Sequence, residues 1–232
     1  MKKTDKKDLK NRLVALHEPS SPQAEYFRTI KTNIEMMNID SKVKSLLITS
    51  PTQDSGKTMI SVNLASTYAN DGVKTLLIDL DLRRPSLGFA IPIVKASPGL
   101  TGILDSSQNL TPEDVIVPVT DTNLYVLPVG ARPLSPYSIL NSAKLGQLIE
   151  QLKEIFDMII IDTPPVMMVK DALLVSKWAE ASVLIARGGY SNKIDIKKSL
   201  KNMQDANANI LGVIFNNPQM KQDHYYYPES EV

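Results

Sequence analysis

Cysteine is absent from the 232-residue chain, which removes disulfides and thiolate metal sites and fits a reducing compartment. Long apolar runs are missing too. The longest, over 45–49, 75–80 and 158–161, are strand-sized, far from the ~20 apolar residues that span a bilayer. A surplus of one charge is also lacking. The net charge is +1, so no bulk field argues for a nucleic-acid partner. Residues 1–12 do hold six bases and two acids, a local excess of four, read as a solvated terminus. This basic start has no apolar core behind it, so a signal peptide is not expected. The expectation is a cytoplasmic protein that meets the inner face of the plasma membrane only through a partner.

Hydrophobic residues make up 43% of the chain and charged ones 22%, ordinary values for a globular protein. Residues 1–20 read as a polar arm. Ser21 followed by Pro22 is a helix start, and Phe27, Ile30, Ile34 and Met37 recur at helical spacing, predicting a helix over 21–38. Strand and helix patterns then alternate. Strands are expected near 44–49, 74–80, 123–128, 157–162, 181–187 and 209–215, and helices over 57–70, 143–155, 171–179 and 193–205. Several of the strands are apolar throughout, as when both faces of a sheet are covered. The alternation predicts one α/β domain, a mostly parallel sheet wrapped by helices on both faces. The Pro/Gly/Ser-rich stretch 84–112 reads as loop with at most one short helix. Beyond residue 217 the chain turns polar and tyrosine-rich, and 218–232 reads as a flexible tail.

The strand ending Leu46-Leu47-Ile48-Thr49 runs into Ser50-Pro51-Thr52-Gln53-Asp54-Ser55-Gly56-Lys57-Thr58. An amphipathic helix with Ile60, Leu64 and Tyr68 on one side follows. This is the end of a Walker A phosphate loop in its strand–loop–helix context, hence a P-loop NTPase-type sheet. Loop amides and the helix N-terminus face the phosphates. Lys57 reaches the β- and γ-phosphates, and the Thr58 hydroxyl binds Mg²⁺. Asp54, Ser55, Gly56, Lys57, Thr58 and Met59 are the expected nucleotide contacts. Two residues depart from the pattern: Pro51 replaces its first glycine, and Asp54 puts a carboxylate beside a phosphate cradle.

The strand Thr75-Leu76-Leu77-Ile78 ends in Asp79-Leu80-Asp81, and Met158-Ile159-Ile160-Ile161 ends in Asp162. Period-two geometry predicts that Asp79 and Asp81 share one side. Acids at the C-terminal ends of parallel strands lie in the crevice where such sheets bind ligands, facing the phosphates and Mg²⁺.

The loop, the run Leu-Ile-Asp-Leu-Asp-Leu-Arg-Arg-Pro over 77–85 and the run Ile-Ile-Ile-Asp-Thr-Pro-Pro over 159–165 together resemble the bacterial tyrosine kinases of capsule and exopolysaccharide assembly. The likeness is to their separate cytoplasmic subunit in Gram-positive bacteria and covers about residues 12–232. It implies autophosphorylation with ATP and Mg²⁺ as cofactors, and catalytic roles for Lys57, Asp79 and Asp81. Asp79 is then the base and Asp81 its support. Thr58, Asp79 and Asp162 serve the metal, and Asn216 lies near the adenine. The family's loop usually reads Pro-Gly-Glu-Gly-Lys-Ser, so Asp54 stands where it has its first glycine. Glu25, Arg28 and Lys31 resemble the family's Glu-x-x-Arg-x-x-Arg element, implying an oligomeric ring. Tyr225, Tyr226 and Tyr227 become phosphoacceptors. The resemblance further implies a separate membrane adaptor of the chain-length-regulator type and an opposing tyrosine phosphatase. Two other readings stay open at this point: a MinD- or ParA-like ATPase switch that phosphorylates nothing, and a degenerate nucleotide-binding scaffold.

Overall fold

The computed structural model describes residues 13–37 and 43–216. Its elements, in chain order, are α1 (Val14–His17), α2 (Pro22–Met36), β1 (Ser45–Thr49), α3 (Lys57–Asn70), β2 (Thr75–Asp79), α4 (Leu87–Ala90), a 3₁₀ turn (Pro92–Ala96), α5 (Gly99–Leu104), α6 (Pro112–Val115), β3 (Val117–Pro118), β4 (Leu124–Leu127), α7 (Pro136–Leu140), α8 (Ala143–Ile155), β5 (Met158–Asp162), α9 (Asp171–Ser176), β6 (Ala181–Arg187), α10 (Lys193–Asp205) and β7 (Ile210–Asn216).

The strands form one sheet of order β3-β4-β2-β5-β1-β6-β7. Every pairing is parallel except β3 with β4. Every residue of β1, β2 and β5 is buried; their sequences are aliphatic because helices cover both faces. One face packs Leu46, Ile48 and Ile160 against Leu64 and Tyr68 of α3. The other packs Leu47 and Ile159 against Leu145, Ile149 and Leu152 of α8. β5 lies between β1 and β2, so the C-terminal ends of these three strands meet at one place. There Ile48 pairs with Asp162, and Asp162 with Asp79.

Several expectations change on folding. The polar arm joins the body before its expected end: Leu13 and Ala15 are buried. The Ala15 N–H donates to Asn63 Oδ1 at 2.9 Å, and Asn70 Nδ2 donates to the Ala15 carbonyl at 2.8 Å. As a result α3 is buried all round from Ile60 to Ala69, rather than amphipathic with one wet face. Its inward hydroxyls avoid the cost of lost solvation by bonding back one turn, Ser66 to the Val62 carbonyl and Thr67 to the Asn63 carbonyl, both at 2.8 Å. α2 begins as expected, with Ser21 Oγ accepting from the Ala24 N–H, but ends at Met36; residue 38 lies outside the described residues. The stretch 84–112 contains α4, the 3₁₀ turn, α5 and the start of α6. Residues 1–12 of the arm and the segment 218–232, Tyr225–Tyr227 included, also lie outside the described residues.

Candidate active site

The phosphate loop is held by its own side chains. Ser50 Oγ and Ser55 Oγ both donate to the Thr52 carbonyl, at 2.7 and 3.0 Å. Asp54 and Gly56 are left-handed, with φ of 56° and 86°. Left-handed residues alternating with ordinary ones gather backbone N–H groups into an anion-binding hollow. A glycine at 54 would take this φ without strain; aspartate is among the residues that tolerate it best. The Asp54 side chain is exposed, and Arg187 Nη1 holds its backbone carbonyl at 2.8 Å. Gly56 is needed twice over: a Cβ there would meet Asn216 Nδ2 at 2.2 Å. Asn216, at the end of β7, donates that amide to the Ser55 carbonyl at 2.9 Å.

α3 then delivers Lys57 and Thr58. Lys57 lines a cleft of about 470 Å³ together with Asp54, Asp81, Arg83 and Arg84. Behind it, the Thr58 hydroxyl donates to Asp162 Oδ2 at 2.6 Å and lies 2.6 Å from Ser86 Oγ. The other Asp162 oxygen accepts from Ser61 Oγ at 3.2 Å. Burial raises the Asp162 pKa, opposed by the Lys57 charge and the Thr58 hydrogen bond.

The two aspartates of β2 do different things. Asp79 is buried and caps the following loop. Its Oδ1 accepts the Asp81 N–H at 3.0 Å, and its Oδ2 the N–H groups of Ser86 and Leu87 at 3.2 and 3.3 Å. Burial first, then the charge of Asp162, raises its pKa. Asp81 lies past the strand end, so the period-two expectation of a shared side does not apply, and its side chain lines the cleft with Lys57. Its pKa is also raised by burial, opposed by the Arg84 N–H and the Lys57 charge.

Sequence reasoning missed the arginines and their anchors. Arg83 makes two bonds to the buried Asp171, at 2.8 and 3.1 Å, and Arg84 reaches Gln53 at 3.0 Å. Asp171 gave no signal beyond being an acid in a helix's first turn. Among the described residues, no group of three or more His, Cys, Asp or Glu is arranged to hold a metal ion.

On α2, Glu25 and Arg28 pair with each other, and Arg28 also holds the Pro19 carbonyl at 2.6 Å. Lys31 is tied to Asp71 of the same chain at 2.7 Å and lies over the Tyr68 ring. All three expected interface residues are thus bonded within the chain.

The AAA domain family model matches residues 44–211. Tyrosine-protein kinase YwqD of Bacillus subtilis (strain 168) is 33% identical over 218 residues, 94% of this chain and 91% of the relative. Tyrosine-protein kinase CpsD of Streptococcus agalactiae is 35% identical over 192 residues, 83% and 82% of the two chains. The crystal structure of the chimerical protein CapA2B2 superposes with a TM-score of 0.84 and 34% identity, covering 90% of this chain and 91% of that one.

Proposed function

The chain belongs to the bacterial tyrosine-kinase family, and from that premise we propose that it moves the γ-phosphoryl group of ATP onto tyrosines 225–227 of its own tail, regulating capsular or exopolysaccharide synthesis and export. One arrangement supports this reading above all: Lys57, Thr58 and Asp81 line one cleft, and Thr58 is bonded to the buried Asp162.

Phosphoryl transfer needs positioning and charge neutralisation more than covalent chemistry. Loop amides and Lys57 hold the phosphates. The phenol oxygen attacks the γ-phosphorus, the bond from that phosphorus to the β–γ bridging oxygen breaks, and ADP leaves. Asp81, open to the cleft, takes the phenol proton, a role expected of Asp79 from the resemblance. Asp79 instead spends both oxygens on backbone N–H groups and holds the loop that carries Asp81. Thr58 and Asp162 would hold Mg²⁺ through hard oxygen donors, and Asp79, paired with Asp162 across the strands, would add an oxygen through the lone pairs its backbone bonds leave over. Bound there with the nucleotide, the ion would neutralise part of the triphosphate charge.

Around this site we place a ring of copies meeting through Glu25, Arg28 and Lys31, a separate membrane adaptor of the chain-length-regulator type, and a tyrosine phosphatase that resets the tail. No described helix is long and apolar enough to cross a membrane, so attachment at the inner face of the plasma membrane falls to the adaptor. The test is incubation with ATP and Mg²⁺ followed by detection of phosphotyrosine and ADP. The kinase gives phosphotyrosine that disappears in Lys57→Met and largely in the triple Tyr225→Phe, Tyr226→Phe, Tyr227→Phe variant. ADP without phosphotyrosine would identify a switch ATPase, and neither product a scaffold.

A further inference from the structure

β7 is an edge strand, and helices leave part of it bare. Val213 is 43% exposed and Phe215 56%, whereas β1 and β5 are buried throughout. Between β7 and α2 runs a groove of about 860 Å³, with Phe27, Ile30 and Met59 in its lining. None of its lining residues carries a charge. An apolar channel of this size beside a nucleotide site points to an occupant.

The chain itself supplies one. The described fold ends at Asn216, which lines this groove. Asn217-Pro218 follows, a pair that favours reversal of direction. Next comes a segment holding Met220 and the three consecutive tyrosines. The nine residues from Asn216 to Tyr225 reach about 30 Å when extended, and α2, at 15 residues, is about 22 Å long. The tyrosines can therefore lie anywhere along the groove. Tyrosine suits it as well. The ring buries a large apolar area at low entropic cost, and Gln23 and Asn33 among the lining residues offer polar groups that a phenol hydroxyl could meet.

We propose that this groove is the resting site of the chain's own 217–227 segment, held there in its unphosphorylated form. Each phosphotyrosine adds roughly −1.5 to −2 charge, and no lining cation is present to meet it, so modification expels the segment. The nucleotide cleft has the opposite character, with Lys57, Arg83 and Arg84 at its walls. Docking stands apart from the proposed kinase reaction; only its reversal by phosphorylation rests on that reading.

The natural absence of cysteine makes the test direct. Thr29→Cys, on the groove, and Gln222→Cys, in the tail, are introduced together in the full chain without nucleotide. Disulfide formation is followed on non-reducing gels, and Lys197→Cys, exposed on α10, replaces Thr29→Cys in a control. The expected result is a bond within one chain that forms at least tenfold faster for Thr29→Cys than for Lys197→Cys. Adding Tyr225→Glu, Tyr226→Glu and Tyr227→Glu should slow it at least tenfold. Equal rates at the two positions, disulfides joining two chains, or indifference to the three glutamates would each overturn the proposal. No ATP is used, so the outcome is independent of whether the protein phosphorylates itself.

Discussion

Thr58 and Asp162, 104 residues apart in the chain, meet through a 2.6 Å hydrogen bond beneath the phosphate loop. The bond joins the first turn of α3 to the end of β5, and Ser61 secures the same carboxylate from one turn further along. Thr58→Val removes the hydroxyl with almost no change of shape. Autophosphorylation is expected to fall by roughly 10²-fold or more, while the melting temperature drops by only a few degrees: Asp162 Oδ2 loses its partner, at a cost of about 1–3 kcal/mol, but Oδ1 keeps Ser61. Initial-rate phosphotyrosine assays alongside calorimetry check both halves.

Asp79 and Asp81 should separate cleanly. Asp79→Ala strands three backbone N–H groups, at a cost of about 1–3 kcal/mol for each one left buried and unpaired. It should lower the melting temperature by several degrees as well as reduce activity. Asp81→Asn keeps an oxygen for the Arg84 N–H. It should leave the melting temperature alone and cut the rate by roughly 10²–10⁴-fold, the usual contribution of a general base. A reversed pattern, with Asp81→Asn active, would return the base role to Asp79.

At position 54 the backbone already has a glycine's geometry, with φ of 56°. Asp54→Gly relieves strain of the order of 1 kcal/mol but gives the unfolded chain a comparable gain in freedom, so stability should barely move. The carboxylate also disappears from the rim of a phosphate site. Titration with a fluorescent ATP analogue should show a few-fold tighter binding at low salt, shrinking as salt is added.

Burial raises both Asp79 and Asp162 above the ordinary carboxylate range. In the folded, nucleotide-free protein they keep protons that the unfolded chain releases near pH 4. The folded state then binds more protons than the unfolded one, so stability declines as pH rises from about 4 through their folded pKa values. Melting temperature without nucleotide should therefore drop between pH 5.5 and 8. Binding of Mg²⁺-ATP favours the ionised carboxylates and should release protons, visible in calorimetry as a binding heat that changes with the buffer's ionisation enthalpy. A heat independent of buffer would contradict it.

The parallel core and the phosphate loop were legible in the sequence because both are dense local signals. Runs such as Met158-Ile159-Ile160-Ile161 have one physical solution, burial on both faces, and Gly56-Lys57-Thr58 sits where such a strand meets a helix. What escaped was carried by few residues or by distance. Leu13 opens a run of only four apolar residues, Leu13-Val14-Ala15-Leu16, after a charged stretch, and its burial depends on packing against α3, some 45 residues later. The short helices after residue 84 lack the turns needed to show a period. Asp79 and Asp81 look equivalent until the strand ends between them, and only then does one carboxylate turn to the backbone and the other to the cleft. The partnership of Arg83 with Asp171 spans 88 residues, beyond any pattern of spacing.

The grip of Ala15 on Asn63 and Asn70 makes the start of the fold a lever on the catalytic helix. Asn63 also ties back to the Met59 carbonyl, one residue from Thr58. Tension applied upstream of Leu13, by a tether or a neighbour pulling on the basic leader, would be transmitted along α3 to the nucleotide cradle, while force applied at α8 would have the whole sheet to cross first.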